Sequence, residues 1–194
     1  ISKEDFKKFH SVLWDFNSSP ISRKMKFYKK YANNNEHKPK NIDVFCVHTI
    51  REGVIGEHRK TAINIIKNMK NITSVTDKCP EEVYQEKFVR SKICVACWGF
   101  GEWTHMDGYA MYSKTVLIKP NSNHVHMEPD IYNQKRYIPC APDFSDLEEI
   151  INKVLSNYSD YTDMLEDNKK FIESYSKEHA ANIFWHKINN IYYK

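Results

Sequence analysis

A chain of 194 residues is long enough to bury a hydrophobic core without help from disulfides or metal ions. It is 41% hydrophobic and 28% charged, with a mean hydropathy of -0.68, a composition that excludes a membrane protein. The net charge of +4 suits an anionic ligand but falls well short of the Lys and Arg density typical of nucleic-acid-binding proteins.

Residues 1–40 are polar and rich in lysine. Apolar side chains recur there at helical spacing and predict an amphipathic helix. They are Phe6, Phe9, Leu13 and Phe16. A second, basic helix is predicted over 22–31, and the asparagine-rich stretch over 33–40 predicts a linker.

From residue 41 onward, short apolar runs typical of buried strands alternate with segments typical of helices. Strands are predicted at 42–48, 72–76, 93–96, 115–119 and 136–139. Helices are predicted over 62–69, after Pro80, and over 106–113. This alternation predicts a Rossmann-like three-layer α/β/α domain over 41–157, with a parallel sheet covered on both faces.

The end of the chain is predicted to be helical. Ser145 and Glu148 have the spacing of a capping box, which predicts the start of a helix there. Two more helices are predicted over 161–175 and 181–192, and we expect 158–194 to pack against the domain.

The five cysteines are an odd number without framework spacing, which favours reduced thiols in the cytoplasm. The first residues also lack the apolar stretch of a signal peptide. Cys94 and Cys97 form a CxxC pair, but on a strand they face opposite sides, so no redox or zinc site is expected there. His124 and His126 lack a third ligand at a defined spacing, so no metal is expected there either.

Two loops follow predicted strands at the sheet edge where ligands of such folds bind. The loop over 48–59 contains two glycines with Arg51 and Arg59, and the loop over 97–105 contains Gly99 and Gly101. Glycines let the backbone approach a phosphate, helix N-termini offer N–H donors, and arginine can bind two phosphate oxygens at once. Together the loops predict a diphosphate site, although neither has the Walker or dinucleotide-binding spacing.

The stretch over 91–120 resembles the donor-binding segment of exostosin-like glycosyltransferases of the two-Rossmann (GT-B) architecture. In that family a strand ends in a Gly-aromatic-Gly loop, a Ser or Thr follows three residues on, and a Glu-Ala pair lies on the next helix. The matching residues here are Gly99, Phe100, Gly101, Thr104 and Ala110, with the closing strand over 116–120. The resemblance covers about 41–157.

The resemblance implies transfer of a sugar from a UDP- or GDP-linked donor to a glycan acceptor, with this chain supplying the donor-binding half. It implies no metal, since no Asp-X-Asp motif is present, and neither a nucleic-acid partner nor a membrane span. The implied catalytic residues are Glu102 and Arg59. The implied donor-binding residues are Arg51, Gly99, Phe100, Gly101, Thr104, His105, Asp107, Tyr109 and Lys119.

Two departures from the family pattern leave alternatives open. Tyr109 stands where the family has a Glu that binds the ribose hydroxyls, so Glu102 or Asp107 would have to replace it. Either acid could equally be a helix N-terminal carboxylate favoured by the helix dipole. Residues 1–40 are too few for the acceptor domain that precedes the donor domain in this family. A non-catalytic nucleotide- or glycan-binding module is therefore the main alternative, and a basic scaffold for RNA or an acidic partner is a weaker one.

Overall fold

A computed structural model describes residues 11–12, 29–99, 103–125, 127–128, 131–132 and 135–174, together with 182, 185–186 and 189. Strands and helices alternate along it, as the apolar pattern predicts. The elements are β1 (Ser11–Val12), β2 (Ile42–Phe45), α1 (Val54–Asn68), β3 (Ser74–Val75), α2 (Glu81–Val89), β4 (Ser91–Val95), α3 (His105–Tyr112), β5 (Val116–Pro120), β6 (Met127–Glu128), β7 (Ile138–Cys140), α4 (Leu147–Ser156) and α5 (Thr162–Ser174). A 3-10 turn at Tyr158–Tyr161 joins α4 to α5, and residues 29–34 are also helical.

The central sheet has five strands in the order β3-β2-β4-β5-β7, and every neighbouring pair is parallel. Numbered along the chain, these strands lie in the doubly wound order 2-1-3-4-5. The predicted Rossmann-like three-layer fold is therefore confirmed. The winding direction reverses between β2 and β4, which makes their carboxyl ends the expected ligand crevice.

Successive side chains along a strand point to opposite faces of the sheet, and each face packs into its own hydrophobic core. Val44 and Cys46 face one core with α1 and α4, and Phe45 and Val47 face the other with α2 and α3. All five residues of β5 are buried, as expected for a strand flanked by neighbours on both edges. Packing in the two cores holds the strands in place, and hence fixes where the site loops leave the sheet.

Two local predictions are wrong. Ser11–Val12 form β1, which pairs in parallel with β6, so a helix does not run through these residues. Val is β-branched and suits a strand better than a helix. The apolar residues on which that helix prediction rested, Phe6, Phe9, Leu13 and Phe16, lie outside the described residues.

The predicted capping box of α4 is also absent. The helix begins at Leu147, and the Ser145 hydroxyl donates to Asp143 Oδ1 at 2.7 Å instead of capping it. Phe144 has a φ of 62°, so the chain turns tightly just before the helix and draws the Ser145 hydroxyl into the turn. Asp146 takes the N-cap position, and its carboxylate accepts from the Ala141 N–H at 2.8 Å.

The segment over 29–40, part of it predicted as a linker, packs on the domain. Ala32 is buried in the core beside α3. Glu36 forms ion pairs with Lys114 at 2.7 Å and Lys169 at 2.6 Å, and Lys40 bonds to the residues just ahead of β5. Among the residues that the structure describes, no helix has the length and apolar character needed to span a membrane.

Candidate functional site

Two adjoining cavities lie at the carboxyl ends of β2 and β4, where the winding of the sheet reverses. One has a volume of about 320 Å³ and the other about 470 Å³. The first is lined by Val47, His48, Thr49, Arg59, Lys78, Cys79, Tyr84, His105 and Met106, and the second by Thr49, Arg51, Glu52, Val54, Ile55 and Arg59. Both volumes fall within the range of about 300–1,000 Å³ typical of small-molecule sites.

Arg59 ties together the two loops that border the cavities. It projects from α1, and its Nη1 donates to the Thr49 carbonyl at 2.7 Å while its Nε donates to the Trp98 carbonyl at 3.3 Å. It also lines both cavities, with Arg51 in one and Lys78 in the other. Three cations, Arg51, Arg59 and Lys78, therefore line the cavities against one acidic residue, Glu52, a balance that suits an anionic ligand.

The two glycines of the first loop are explained by the chain's own backbone. Gly53 has a φ of +92°, a conformation that side chains disfavour. A Cβ at Gly56 would lie 1.6 Å from the Arg51 carbonyl oxygen, so the loop folds directly onto the first turn of α1. The space beside Gly56 is therefore filled by the Arg51 carbonyl and not left open for a phosphate.

The second loop is partly outside the described residues. Gly99 is half-buried, whereas Phe100, Gly101 and Glu102 are among the residues that the structure does not describe. Ahead of them, the Trp98 ring stacks on His58 with a centroid distance of 5.1 Å and an interplanar angle of 7°. This stack fixes the start of the loop against α1.

Asp107 and Lys119, both predicted to bind the donor, lie inside the protein and contact each other. Each side chain is 0% exposed, and Lys119 Nζ lies 2.7 Å from Asp107 Oδ1. Asp107 Oδ2 accepts from the Thr104 N–H at 2.8 Å and from the Thr104 hydroxyl, which holds the first turn of α3. Lys119 Nζ also lies 3.1 Å from Tyr132 Oη. Both carboxylate oxygens are thus engaged within the protein.

Tyr109 is also a core residue, with 2% of its surface exposed. Its ring packs edge-on against Phe88 at 6.0 Å and against His105 at 5.3 Å. Burial raises the pKa of Tyr109 from its ordinary value of 10 to about 12. Of the predicted site residues, the structure brings Arg51, Arg59 and His105 to the cavities and places Asp107, Tyr109 and Lys119 behind them.

Sequence reasoning missed Lys78 and Tyr84, which line the smaller cavity. Tyr84 Oη is buried, with no hydrogen-bond partner among the described residues, and burial raises the pKa of this phenol well above its ordinary value. Lys78 precedes α2 and Tyr84 lies on it, and this helix follows the edge strand β3. Only the position of β3 beside β2 brings them to this edge, and the chain's local pattern does not reveal that position.

A cluster of Cys46, His48 and Cys97 was also missed. Their sulfur atoms and a His48 ring nitrogen all lie within 4.8 Å of one another. A hydrogen bond from Cys46, aided by the nearby His48, holds the pKa of Cys97 well below its usual range, whereas the pKa of Cys46 is raised by the same bond and by burial. Cys94 packs in the opposite core, so the prediction that Cys94 and Cys97 face opposite sides is confirmed.

No protein-family model matches this chain, and no curated protein matches it significantly.

Proposed function

We propose that this chain binds a nucleotide sugar at the carboxyl ends of β2 and β4, as the donor-binding half of a GT-B glycosyltransferase acting on a glycan or other acceptor. The observation that carries the proposal is Arg59, which anchors both loops and lines both cavities. A cation fixed at this junction supports binding of a diphosphate that bridges the two spaces. The parallel sheet, wound so that this edge is the ligand crevice, supports it as well.

The two cavities offer different surroundings to the base and to the diphosphate of such a donor. Val47, Tyr84 and Met106 give the smaller one an apolar and aromatic wall that suits a uracil or guanine base. Arg51 and Arg59 give the larger one its positive charge, which suits the diphosphate. In this proposal Asp107 and Lys119 hold the start of α3 in place and do not touch the donor.

Catalysis in this proposal is electrostatic. Arg59 stabilises the negative charge that the diphosphate gains as the bond to the sugar breaks, so no metal is required for that purpose. Glu102 remains the candidate for a carboxylate near the sugar. His105 lies at the first residue of α3 and lines the smaller cavity, where it can donate to a phosphate oxygen.

The alternative, a non-catalytic nucleotide- or glycan-binding module, is favoured by two buried residues. Tyr109 packs in the core, and both carboxylate oxygens of Asp107 are engaged by protein groups. Neither therefore offers an acceptor to ribose hydroxyls, which leaves that role to Glu102. Assays for hydrolysis and transfer with the nucleotide sugar that binds best separate this alternative from an enzyme.

Calorimetric titration with UDP, GDP, ADP and their sugars tests the binding proposal. We expect one nucleotide to bind, and Arg51→Ala to weaken it about 10-fold to 100-fold, because a charge-assisted hydrogen bond contributes about 1.5–3 kcal/mol. Arg59→Lys retains the charge but loses the two-carbonyl anchor, so it should weaken binding while leaving the fold intact. Failure of a folded sample to bind any of these nucleotides overturns the proposal.

Lys60→Ala is the matched control for Arg51→Ala. Lys60 follows Arg59 on α1, pairs with Glu57 at 2.7 Å, and lines neither cavity. Both variants remove one positive charge, so an equal loss of affinity would show that Arg51 acts only through net charge. All five cysteines are free thiols, which supports a reducing compartment such as the cytoplasm for the proposed reaction.

A further inference from the structure

A cluster of two thiols and an imidazole lies beside the cavities, and the proposed nucleotide binding gives its two thiols no role. Cys46 is 0% exposed, Cys97 1% and His48 8%. Their sulfur atoms and a ring nitrogen of His48 all lie within 4.8 Å of one another. Thiolate and imidazole are the ligands that Zn²⁺ prefers in proteins. The three groups therefore converge in a space that is largely closed to water.

The pairing of β2 with β4 builds this convergence. The register aligns Val44 with Ile93 and Phe45 with Cys94, and continuing it past the strand ends brings His48 beside Cys97. The close approach of His48 Nε2 to the Cys97 backbone N, at 3.4 Å, agrees with that register. Cys46 and Cys97 pack in the same core. The cluster thus belongs to the centre of the sheet, where neighbouring strands fix its geometry.

Backbone groups of β4 and the residues after it fix the His48 ring beside the two thiols. His48 Nε2 lies 3.0 Å from the Val95 carbonyl oxygen and 3.4 Å from the Cys97 backbone N. Histidines that bind metals are commonly oriented by a ring contact with a backbone carbonyl.

Burial of cysteine is ordinary and would not by itself indicate a site, because a buried thiol usually behaves as a small apolar side chain. Cys94 and Cys140 provide the comparison within this chain. Both are buried, with 0% and 3% exposed, yet neither joins a group of three metal-ligating side chains within the part of the chain that the structure describes. Cys46 and Cys97 differ from them by sharing His48.

We propose that Cys46, His48 and Cys97 bind one thiophilic divalent cation, with Zn²⁺ as the ion that matches their chemistry. Each ligating thiol releases its proton, and no oxidant or reductant is needed. Three protein ligands leave a fourth tetrahedral position, as in catalytic zinc sites. His48 also lines the 320 Å³ cavity, so a water or an anion from that cavity can take this position. The proposal departs from the expectation of a metal-free protein and does not depend on nucleotide-sugar binding.

Titration of the reduced, metal-stripped full chain with Co²⁺ alone tests the site, because thiolates bound to cobalt give a charge-transfer absorption band. We expect the band to saturate at one ion per chain and to disappear when Zn²⁺ is added. Cys46→Ser and Cys97→Ser should abolish it. Cys94→Ser and Cys140→Ser are matched controls, since they remove equally buried thiols outside the cluster and should retain the band.

A folded wild-type chain that gives no thiolate band overturns the proposal, and so does a band that persists in Cys97→Ser. Because the serine variants could fail to fold, X-ray absorption of the cobalt-loaded wild type provides a second measurement. It should count two sulfur ligands, and fewer than two would overturn the assignment. A disulfide between Cys46 and Cys97 in the protein as isolated would also overturn it, since it would identify the pair as a redox couple.

Discussion

Asp107 and Lys119 show how single residues at this sheet edge support the site from within. They form an ion pair that water does not reach, and Asp107 also holds the Thr104 N–H at the start of α3. A buried ion pair contributes little more than a well-packed apolar pair, but removing one partner leaves an uncompensated charge in the core. The pair therefore ties α3 to β5 and sets the position of His105 at the cavity.

Asp107→Asn and Lys119→Met should each destabilise the protein by about 3–5 kcal/mol in urea denaturation, because each leaves one buried charge unpaired. The double variant should lose less than the sum of the two, since both charges are then gone. Asp77→Asn is the control, because Asp77 pairs with Lys67 at the surface and should contribute less than about 1 kcal/mol. If Asp107→Asn kept full stability but lost nucleotide binding, Asp107 would have to contact the ligand directly.

At the scale of the elements, the loop from β2 to α1 determines the larger cavity. Its residues Arg51 and Glu52 line that cavity with Val54 and Ile55 of the first turn of α1, and Gly53 and Gly56 let the loop fold onto the helix. The Gly53 carbonyl accepts from the Glu57 N–H at 3.1 Å, which closes the first turn of α1. The position of Arg51 therefore depends on a backbone contact at Gly56.

Gly56→Ala should destabilise the protein by about 1–3 kcal/mol and weaken ligand binding, because the new Cβ would lie 1.6 Å from the Arg51 carbonyl and force the loop outward. Gly53→Ala is the control, with open space around the added methyl. It should cost about 1–3 kcal/mol through its backbone conformation alone, and spare binding. Calorimetry and urea denaturation of both variants measure the difference. Equal loss of binding in the two would contradict a specific role for the Gly56 contact.

The strands and most of the helices could be predicted because each depends on a local pattern, such as the apolar run of β5 or the buried face of α1 that contains Ala62 and Ile66. The order of the strands could not, since it depends on which apolar edges find each other across the fold. For the same reason the sequence does not reveal that Cys46 and Cys97 lie together. The nearby CxxC spacing drew attention to Cys94, which the pleat directs to the opposite core.

The predicted ligand roles of Asp107 and Lys119 illustrate the second limit. Acidic and basic side chains near a ligand-binding loop resemble ligands in sequence, and only their burial identifies them as partners of each other. Arg51, Arg59 and His105, by contrast, do reach the cavities, because the strand-to-helix connections of a parallel sheet place their loops at one edge.

At the scale of the whole molecule, charged groups join the segment over 29–40 to the domain. Glu36 lies between Lys114 and Lys169, and their hydrogen bonds lower the pKa of this carboxyl to about 2. Lys40 donates to the Ser113 carbonyl at 2.7 Å and to the Thr115 hydroxyl at 2.8 Å, and burial lowers the pKa of its amine to about 7. The attachment of the segment is thus sensitive to pH near neutrality.

Lys40→Met should flatten the rise of stability with pH above about pH 7. A pKa below the ordinary value of 10.5 means that the unfolded chain binds more protons between these values, so the wild type gains stability as pH rises through that window. The gain is at most about 1.4 kcal/mol per pH unit. Urea midpoints between about pH 7 and about pH 8.5 measure it. Thiols, whose ordinary pKa is about 8.5, titrate alike in the wild type and the variant, so the difference between the two curves reports Lys40.

Lys30→Met removes a charge from an exposed position in the same segment and should keep the wild-type slope. If the Lys40→Met curve ran parallel to the wild-type curve over this range, Lys40 would be charged in the folded protein.

The strand order has a consequence for how the protein is made. β2 leaves the ribosome before α1, β3 and α2, and its partner β4 follows them all. Until β4 arrives, one edge of the apolar strand Ile42–Phe45 has no neighbour in the sheet, and an open apolar edge of this kind promotes aggregation. The crevice forms only when β4 pairs with β2, so a ligand that binds there recognises only chains in which these two strands have joined. Such a ligand would draw newly made chains toward the folded state by mass action.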